Sequence, residues 1–412
     1  MERKMLVATV SLVVASAAHG QSSVTLFGVI DEGLMIQSNA RTTAATAATP
    51  GIGSRRVFLD SIAGQLGSRW GLRGVEDLGG GTKAVVMLES GVNLNSGALG
   101  QAGLLFGRQA YVGFSNDHYG TVTFGRQYES MVTYFATMIA AGQFATGFYA
   151  QAADVNNVNA SQRVNNAVKY ASPNLNGLTF GGTYSLGGVP GSLGRNSIYS
   201  AGVNYARGPI VLAAAYLFVH QPNTALFSNS GLASGLLSPG GSQVAAANTI
   251  WGGYATAATY QTFAVGSIYK IGDVGIGVNY SNTQFRDLQS PSSGLSISAL
   301  GPQGTAIFNV GELNAVWHVT PAFQLGAAYT YAHGSQVSRS ALRSFGGATY
   351  NSATLGADYF LSKATDVYVV GIIQKAHGTD STGNPAVANI ANLTPSSNDR
   401  QAVMRIGLRV KF

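Results

Sequence analysis

The chain has no cysteine, little proline and little charge. Of its 412 residues none is cysteine, 11 are proline, and Asp, Glu, Lys and Arg together make up 10%. The absence of cysteine excludes disulfide bonds and cysteine-ligated metal sites. Soluble domains usually carry about a quarter charged residues, so this composition indicates a surface that does not face water alone.

Long hydrophobic runs are missing as well. Hydrophobic residues make up 46% of the chain. After residue 18, however, no run approaches the roughly 18 apolar residues that indicate a membrane helix. A chain this apolar without spanning helices is expected to form either a large β-sandwich array or a β-barrel.

The one apolar run near the N-terminus is short. Charged residues at 2–4 precede an apolar stretch over 5–18, and small residues then occupy the two positions that a signal peptidase reads. This pattern predicts a secretory signal peptide over residues 1–20 and a single mature domain over 21–412. The alternative is an anchoring helix, which needs about 20 apolar residues to cross the bilayer. We therefore expect cleavage.

The C-terminal stretch carries the clearest positive pattern. Over 402–412 bulky apolar residues alternate with basic or small ones, and the last residue is Phe412. A period of two predicts a β-strand with one apolar and one polar face. The same alternation recurs along the chain without helical partner segments. Lipid outside and water inside would satisfy both faces, as in a transmembrane β-barrel.

Short turns and long loops alternate along the chain. Seven short connections carry Gly, Pro, Asn or Asp, and eight longer stretches, beginning with 38–67, lie between them. Fifteen connections join sixteen strands, and the outer-membrane barrels of bacteria have even strand numbers with long loops outside. The predicted fold is all-β, a 16-stranded antiparallel transmembrane β-barrel. Its third extracellular loop, 128–162, contains only two acids, Glu129 and Asp154.

Alternation also assigns charged residues to a face. The residues predicted to face the lumen are Arg69, Arg73, Lys83, Glu89, Arg163, Lys169, Arg405 and Arg409. Arg73, Arg405 and Arg409 are expected nearer the periplasmic mouth, where pairing with acids would stiffen the barrel. Arg108 shares the phase of apolar residues in the following strand, so strict alternation would direct it at lipid. It follows a loop, however, where phase is easily lost.

Several segments together resemble the general porins of Gram-negative β-proteobacteria. They are 23–31, 68–81, 88–91, 108–113 and 120–127. The resemblance covers the whole mature chain. It implies a homotrimer in the outer membrane, a third loop folded inward to narrow the pore, and passive diffusion of ions and small hydrophilic solutes. Glu32 departs from the family pattern, because a small residue is usual there.

The resemblance also implies a functional site. Arg69, Arg108 and Arg163 would form a basic ladder at the pore constriction, faced by Glu89 and the loop acid Asp154. Pore radius and lining charges set selectivity, so weak to moderate anion selectivity is expected. The terminal aromatic residue resembles the signal read by the barrel assembly machinery. Further expected partners are outer-membrane lipid and lipopolysaccharide, and no cofactor is expected.

Other functions remain as alternatives. A substrate-specific channel would show an aromatic track in the lumen phase, and the two lumen-phase aromatics Phe27 and Tyr111 do not make such a track. An outer-membrane enzyme would need a catalytic cluster, and neither a metal-ligand spacing nor a nucleophile motif is readable. A soluble multi-sandwich protein does not account for the terminal aromatic residue. Nucleic-acid binding is not expected, because the basic residues occur singly on strands and not in a patch.

Overall fold

The computed structural model describes most of the mature chain. It covers residues 22–44, 51–227, 248–293, 295, 297–298, 300–339 and 344–412. The predicted signal peptide and parts of four predicted extracellular loops lie outside these residues.

The described residues form nineteen strands. They are β1 (Ser23–Thr43), β2 (Ile52–Asp60), β3 (Arg69–Gly79), β4 (Thr82–Gly91), β5 (Gln109–Asn116), β6 (Gly120–Gln127), β7 (Val164–Ala171), β8 (Leu178–Ser185), β9 (Ile198–Arg207), β10 (Ile210–His220), β11 (Thr259–Ile271), β12 (Val274–Leu288), β13 (Gly304–Thr320), β14 (Phe323–Gly334), β15 (Gln336–Arg339), β16 (Ser344–Gly346), β17 (Thr349–Phe360), β18 (Thr365–His377) and β19 (Arg400–Lys411). β15 and β16 pair only with each other, in the loop between β14 and β17.

The remaining seventeen strands close into one antiparallel barrel. β1 pairs with β19, the last strand, so the sheet has no free edge. β2 and β3 lie end to end along β1, with Gly33 opposite Asp60 and Val29 opposite Arg69. They therefore occupy one position in the wall. Sixteen wall positions result, which confirms the predicted strand number.

The predicted two-faced strands are confirmed. In β19, Met404, Ile406 and Leu408 are 39%, 50% and 48% exposed, whereas Arg405 and Arg409 are buried. A soluble protein would bury the apolar set. The reverse arrangement fits a wall with lipid outside and polar groups inside, where all backbone hydrogen bonds must be made within the sheet.

The connections follow the predicted alternation of short turns and long loops. Between β3 and β4, Gly79, Gly80 and Gly81 all have positive φ, which glycine adopts without strain. One predicted boundary was wrong. The loop predicted over 38–67 is mostly strand, because β1 extends to Thr43 and β2 covers 52–60. Polar and small residues near the barrel rim hide the alternation there.

Helical segments are short and lie in the loops. No helix among the described residues is both long and apolar enough to span a membrane. The segments are α1 (Gly100–Gly103), α2 (Ala140–Gln143), the π-helical turns Met131–Phe135 and Asn223–Phe227, and the 3₁₀ turns Ala136–Met138, Gly147–Tyr149, Gln151–Ala153, Gly252–Tyr254 and Pro291–Ser293.

The gap between β2 and β3 brings residues 61–68 to the third loop. Gln65 Nε2 donates to the Phe144 carbonyl at 2.9 Å, and the Gly147 amide donates to the Gly64 carbonyl at 3.0 Å. Arg69 is the first residue of β3 after this gap. The interrupted wall strand therefore holds both the loop and the start of β3 in place.

Glu312 anchors the third loop to the buried face of β13. Its side chain is 3% exposed and accepts five hydrogen bonds of 2.7–3.3 Å. The donors are the Ala140 amide, Gln151 Nε2, Asn279 Nδ2, Asn314 Nδ2 and Thr330 Oγ1. Hydrogen bonds to an ionised acceptor are about twice as strong as neutral ones. This carboxylate therefore joins two loop residues to three strands.

Glu129 and Lys169 hold the base of the same loop. Glu129 is fully buried and accepts hydrogen bonds from the Met131 amide and from Asn157 Nδ2. Burial raises the pKa of the Glu129 carboxyl to about 7. Lys169 Nζ donates to the Tyr128 carbonyl at 2.9 Å and to Thr133 Oγ1 at 2.6 Å. Both ends of the loop are thus tied to buried or wall-bound polar groups.

Replacing Glu312 should release the loop. In Glu312→Gln an NH₂ group replaces one acceptor oxygen, so some of the donors around it lose their acceptor. We therefore expect the free energy of local opening of the loop to fall by roughly 2–3 kcal/mol. Amide hydrogen exchange over residues 138–153 measures this loss directly. Glu76→Gln, at an exposed acid of β3, is the control. Unchanged exchange in Glu312→Gln would show that the loop is held elsewhere.

Glu129 should make barrel stability depend on pH. The folded pKa of Glu129, about 7, exceeds the ordinary Glu value of 4.5. The folded state therefore binds more protons between these values, and stability falls as pH rises through this window, by roughly 3 kcal/mol. Heat conversion of the folded band on gels from pH 4 to 8 measures it. The wild-type barrel should lose more stability over this pH range than the Glu129→Gln variant. Parallel curves of stability against pH for the two proteins would contradict the raised pKa of Glu129.

Candidate functional site

Arg69 and Arg108 share one buried carboxylate. Arg69 Nη1 lies 3.3 Å and Arg108 Nε 3.1 Å from Glu89 Oε1. Gln109 Nε2 donates to the other oxygen at 2.7 Å. The side chain of Glu89 is 3% exposed and that of Arg69 is 19% exposed. Two cations thus meet one anion, and one of the cations is still partly open to the lumen.

The position of Arg108 resolves its ambiguous phase. Arg108 precedes the first residue of β5, and its amide donates to the Glu89 carbonyl at 3.1 Å. Because it lies outside the regular strand, its side chain is not bound by the alternation of Ala110 and Val112. It turns to the Glu89 carboxylate instead, so alternation alone would have placed it on the wrong face.

Arg163 approaches the same region from the other end of the third loop. Its Nη2 donates to the Tyr128 hydroxyl at 3.3 Å, and its guanidinium carbon lies 5.2 Å from the Tyr128 ring centroid. Nη1 donates to the Ser161 carbonyl at 3.2 Å. Among the described residues, its buried Nε has no hydrogen-bond partner. One donor of this guanidinium therefore remains available.

Tyr128 joins the basic residues electrostatically. Burial by itself raises the pKa of the Tyr128 phenol, but Arg108 and Arg163, with a smaller contribution from Arg69, outweigh it and lower the pKa. All three predicted ladder residues therefore lie close enough to act on one phenol. No sequence motif marked Tyr128. The only available signal was its place between two regions rich in Arg.

Asp154 lies in the third loop but has a local role. It has φ of +58°, and its two carboxylate oxygens accept the Asn159 amide at 2.8 Å and the Ser161 amide at 2.9 Å. Burial raises the pKa of this carboxyl. Within the described residues it forms no ion pair with the ladder. Its hydrogen bonds shape the chain that leads to Arg163.

Most of the other predicted lumen charges are paired or packed. Arg409 lies 2.9 Å from Asp366 and 3.4 Å from Asp358. The exposed pair of Lys83 and Asp117 is 3.3 Å apart. The guanidinium of Arg73 lies 5.4 Å from the Phe27 ring centroid. The neutralised pairs contribute little net field along the lumen.

Arg405 lies farther from the periplasmic mouth than the sequence predicted. It is six residues before the end of β19, which is roughly 20 Å along a strand. It contacts Asp31 at 2.9 Å and Asp60 at 2.8 Å, and Nε donates to the Tyr368 hydroxyl at 2.7 Å. Its guanidinium carbon is 5.9 Å from the Phe148 ring of the third loop. Arg405 is therefore at the level of the loop.

Several anchoring residues escaped the sequence analysis. Asp31, Asp60 and Glu312 carry buried hydrogen bonds that hold the loop and the interrupted strand. An acid in the polar phase of an otherwise apolar strand was their only signal. In the part of the chain that the structure describes, no three His, Asp or Glu side chains converge as possible metal ligands.

Comparison with known proteins identifies the family. A family model described as Gram-negative porin matches residues 7–372. An outer membrane porin protein of Bordetella pertussis is 35% identical over 231 residues, 52% of this chain and 59% of that protein. Outer membrane porin protein 32 of Delftia acidovorans is 33% identical over 238 residues, 54% of this chain and 61% of that protein. The chain thus spans about three fifths of the length of these curated relatives.

Solved structures share the fold. An anion-selective porin from Comamonas acidovorans superposes with a TM-score of 0.65 at 22% identity, covering 95% of this chain and all of that one. Vibrio cholerae OmpT, in its trimer form, superposes with a TM-score of 0.57 at 13% identity, covering 95% of this chain and 99% of that one.

Porins are channels and not enzymes. This chain, a multi-pass β-barrel of the outer membrane, belongs to the Gram-negative porin family.

Proposed function

We propose that the chain is a general diffusion porin that favours anions. The observation that carries this proposal is the cluster of Arg69, Arg108 and Arg163 around the single carboxylate of Glu89. Three guanidinium groups against one acid leave a net positive charge at one level of the lumen. Such a field raises the local concentration of anions and lowers their barrier to passage.

The distribution of the remaining charges supports a local anion filter. Arg405 contacts two aspartates, and so does Arg409, so these cations are neutralised. The excess positive charge is thus concentrated at the ladder. The partly exposed guanidinium of Arg69 provides donors that a passing carboxylate or phosphate can contact.

The third loop is proposed to narrow the pore at this level. Its residues are hydrogen-bonded to Glu312, Asn279 and Asn314, which share the inner phase of their strands. Arg163 follows the loop directly and Tyr128 precedes it. A loop held in this way would bring the ladder close to the path of the solute, where a few charges dominate selectivity.

A substrate-specific channel is less well supported. Lumen-phase aromatics such as Phe285 and Phe308 are fully buried beneath the loop residues Trp251 and Tyr254, with ring centroids 5.7–6.3 Å apart in the contacting pairs. Buried rings cannot stack with a solute. Phe27 and Tyr111 do not form a continuous aromatic track either. Diffusion of small hydrophilic solutes and ions fits the polar lumen better.

The chain is further proposed to act as a homotrimer. A structurally similar porin is known in a trimer form. Glu32 lies in the outward phase of β1, opposite Leu408, and its carboxylate oxygens are buried without a hydrogen-bond partner among the described residues. A charge facing lipid there would be costly. A neighbouring subunit over this part of the wall would remove that cost.

Neutralising a ladder residue should weaken anion selectivity. A unit charge about 7 Å from an ion in water contributes roughly 0.6 kcal/mol, and screening at 0.1 M salt reduces this to about 0.3 kcal/mol. Because the charge acts with opposite sign on anions and cations, each Arg→Gln variant at 69, 108 or 163 should lower the anion-to-cation permeability ratio about two- to threefold. Glu89→Gln should raise it. Reversal potentials in planar bilayers at 0.1 M salt measure the ratio.

The control for these variants is Lys363→Gln in an exposed periplasmic turn, which should leave the reversal potential unchanged. The shifts should also shrink near 1 M salt, where the screening length falls to about 3 Å. If all three Arg variants keep the wild-type potential at low salt, the ladder does not govern selectivity.

Phe412 is proposed to serve in assembly by the barrel assembly machinery. Its amide and carbonyl pair with Gly28 at 3.1 and 2.9 Å, while its side chain is 58% exposed. Deleting Phe412 should lower surface levels of the protein severalfold, because it removes the proposed assembly signal. The stability of the folded barrel should change much less, since full burial of one Phe contributes only about 1.5–3 kcal/mol. Surface labelling measures assembly, and refolding from urea into detergent measures stability. Normal surface levels of the truncated chain would refute this role.

A further inference from the structure

Tyr128 lies where the three ladder residues come together. It directly follows β6 and begins the third loop. Its hydroxyl accepts a hydrogen bond from Arg163 Nη2 at 3.3 Å, and its ring centroid lies 5.2 Å from the guanidinium carbon of Arg163. Arg108 and Arg69, at the starts of β5 and β3, act on the same phenol electrostatically. Tyr128 is therefore a neutral group on which all three ladder cations act.

The hydrogen bonding of the Tyr128 hydroxyl is one-sided. Its oxygen accepts from the Arg163 guanidinium, whereas its own proton is donated to no acceptor among the described residues. A hydrogen bond received from a cation stabilises the phenolate more than the phenol. No acceptor in the described part of the chain stabilises the protonated form in return. The geometry around the oxygen therefore favours loss of the proton.

Cations also outnumber acids among the other charged groups that face Tyr128. Arg126 of β6 interacts with the phenol electrostatically, and Lys169 Nζ of β7 donates to the Tyr128 carbonyl at 2.9 Å. The acids are Glu89 of β4 and the adjacent Glu129. Glu89 is already shared by two ladder arginines, and Glu129 accepts hydrogen bonds within the loop. The surroundings of the phenol thus carry a net positive charge.

This charge counteracts the effect of burial on Tyr128. Burial by itself raises the pKa of the phenol, but Arg108 and Arg163 outweigh it and bring the pKa below the ordinary value of 10. The phenol therefore ionises at a lower pH than an exposed tyrosine does. Its proton passes to water or hydroxide in the lumen, and the electron pair of the O–H bond stays on the phenolate oxygen.

We propose that Tyr128 is a further specificity-determining residue of the anion filter, whose neutral phenol leaves the charge of the ladder intact and whose phenolate cancels one unit of it. The inference rests on the proposed anion filter. Its consequence has a definite sign, because raising the pH adds a negative charge beside the arginines. Anion selectivity is then greatest when the phenol is protonated and falls as the phenol ionises.

Reversal potentials of the full-length protein in planar bilayers test this role. Wild type and Tyr128→Phe are compared at 0.1 M salt from about pH 6 to pH 10. Loss of one unit of positive charge should lower the wild-type anion-to-cation permeability ratio roughly twofold more than that of Tyr128→Phe over this range. Phenylalanine keeps a ring beside Arg163, and Lys169 remains in both proteins, so the difference between the two curves isolates the phenol.

Tyr119→Phe is the matched control. Tyr119 lies in the short turn between β5 and β6 and is 80% exposed. This variant removes a phenol outside the filter and should follow the wild-type curve. Ultraviolet difference titration provides a second readout that does not depend on conduction. Tyr128→Phe should lack one phenol that ionises below the ordinary range, whereas Tyr119→Phe should retain it.

The outcomes separate this inference from the proposed function. If the ladder variants lower anion selectivity at pH 7 but wild type and Tyr128→Phe change in parallel up to pH 10, the role of Tyr128 is refuted and the filter stands. An alkaline fall of full size in Tyr128→Phe would assign the effect to Lys169 instead. If the ladder variants keep the wild-type potential at pH 7, the filter is refuted and this inference with it.

Discussion

A closed sheet with lipid on one side and water on the other imposes a period of two on every wall strand, and the rest of the molecule depends on this constraint. Apolar side chains such as Ile406 and Leu408 face outward because the bilayer cannot solvate anything else. Polar groups are therefore gathered on the inner face of the sheet. The third loop meets hydrogen-bonding groups such as Glu312 on these strands, and it also packs into an apolar cluster that includes Phe285 and Phe308.

This inner surface explains how the third loop is held. Glu312 receives five hydrogen bonds, and Asp31 and Asp60 hold Arg405 beside Phe148. A carboxylate buried without donors would be very costly, whereas one with several donors fixes its partners strongly. Acids in the wall thus position the loop, and the loop in turn positions Arg163 and Tyr128. The structural acids and the cations proposed to set selectivity are parts of one arrangement.

Much of the fold was predictable because its signal is local. Alternation within strands and turn residues such as Gly79–Gly81 depend only on neighbours in sequence, and they correctly indicated sixteen wall strands. The rim was not predictable in the same way. Beyond Ser38 the end of β1 is mostly polar, and in β2 the consecutive Val57, Phe58 and Leu59 interrupt the alternation, so neither segment gave a clear periodic signal.

The site was predictable only in part, because its chemistry depends on long-range contacts. Alternation placed Arg69 and Glu89 on one face, and the structure shows their ion pair. It could not place Arg108, which lies outside its strand, or show that both oxygens of Asp154 are used by backbone amides. Arg405 was predicted too near the periplasmic mouth, and its two aspartate partners are more than 340 positions away in sequence.

Charges without partners identify the places where this barrel is incomplete by itself. Arg405 and Arg409 each contact two acids, so they need nothing further. Arg69 shares one carboxylate with Arg108 and stays partly open to the lumen, and the carboxylate oxygens of Glu32 have no hydrogen-bond partner among the described residues. The proposed anion and the proposed neighbouring subunit are the groups of complementary chemistry for these two positions.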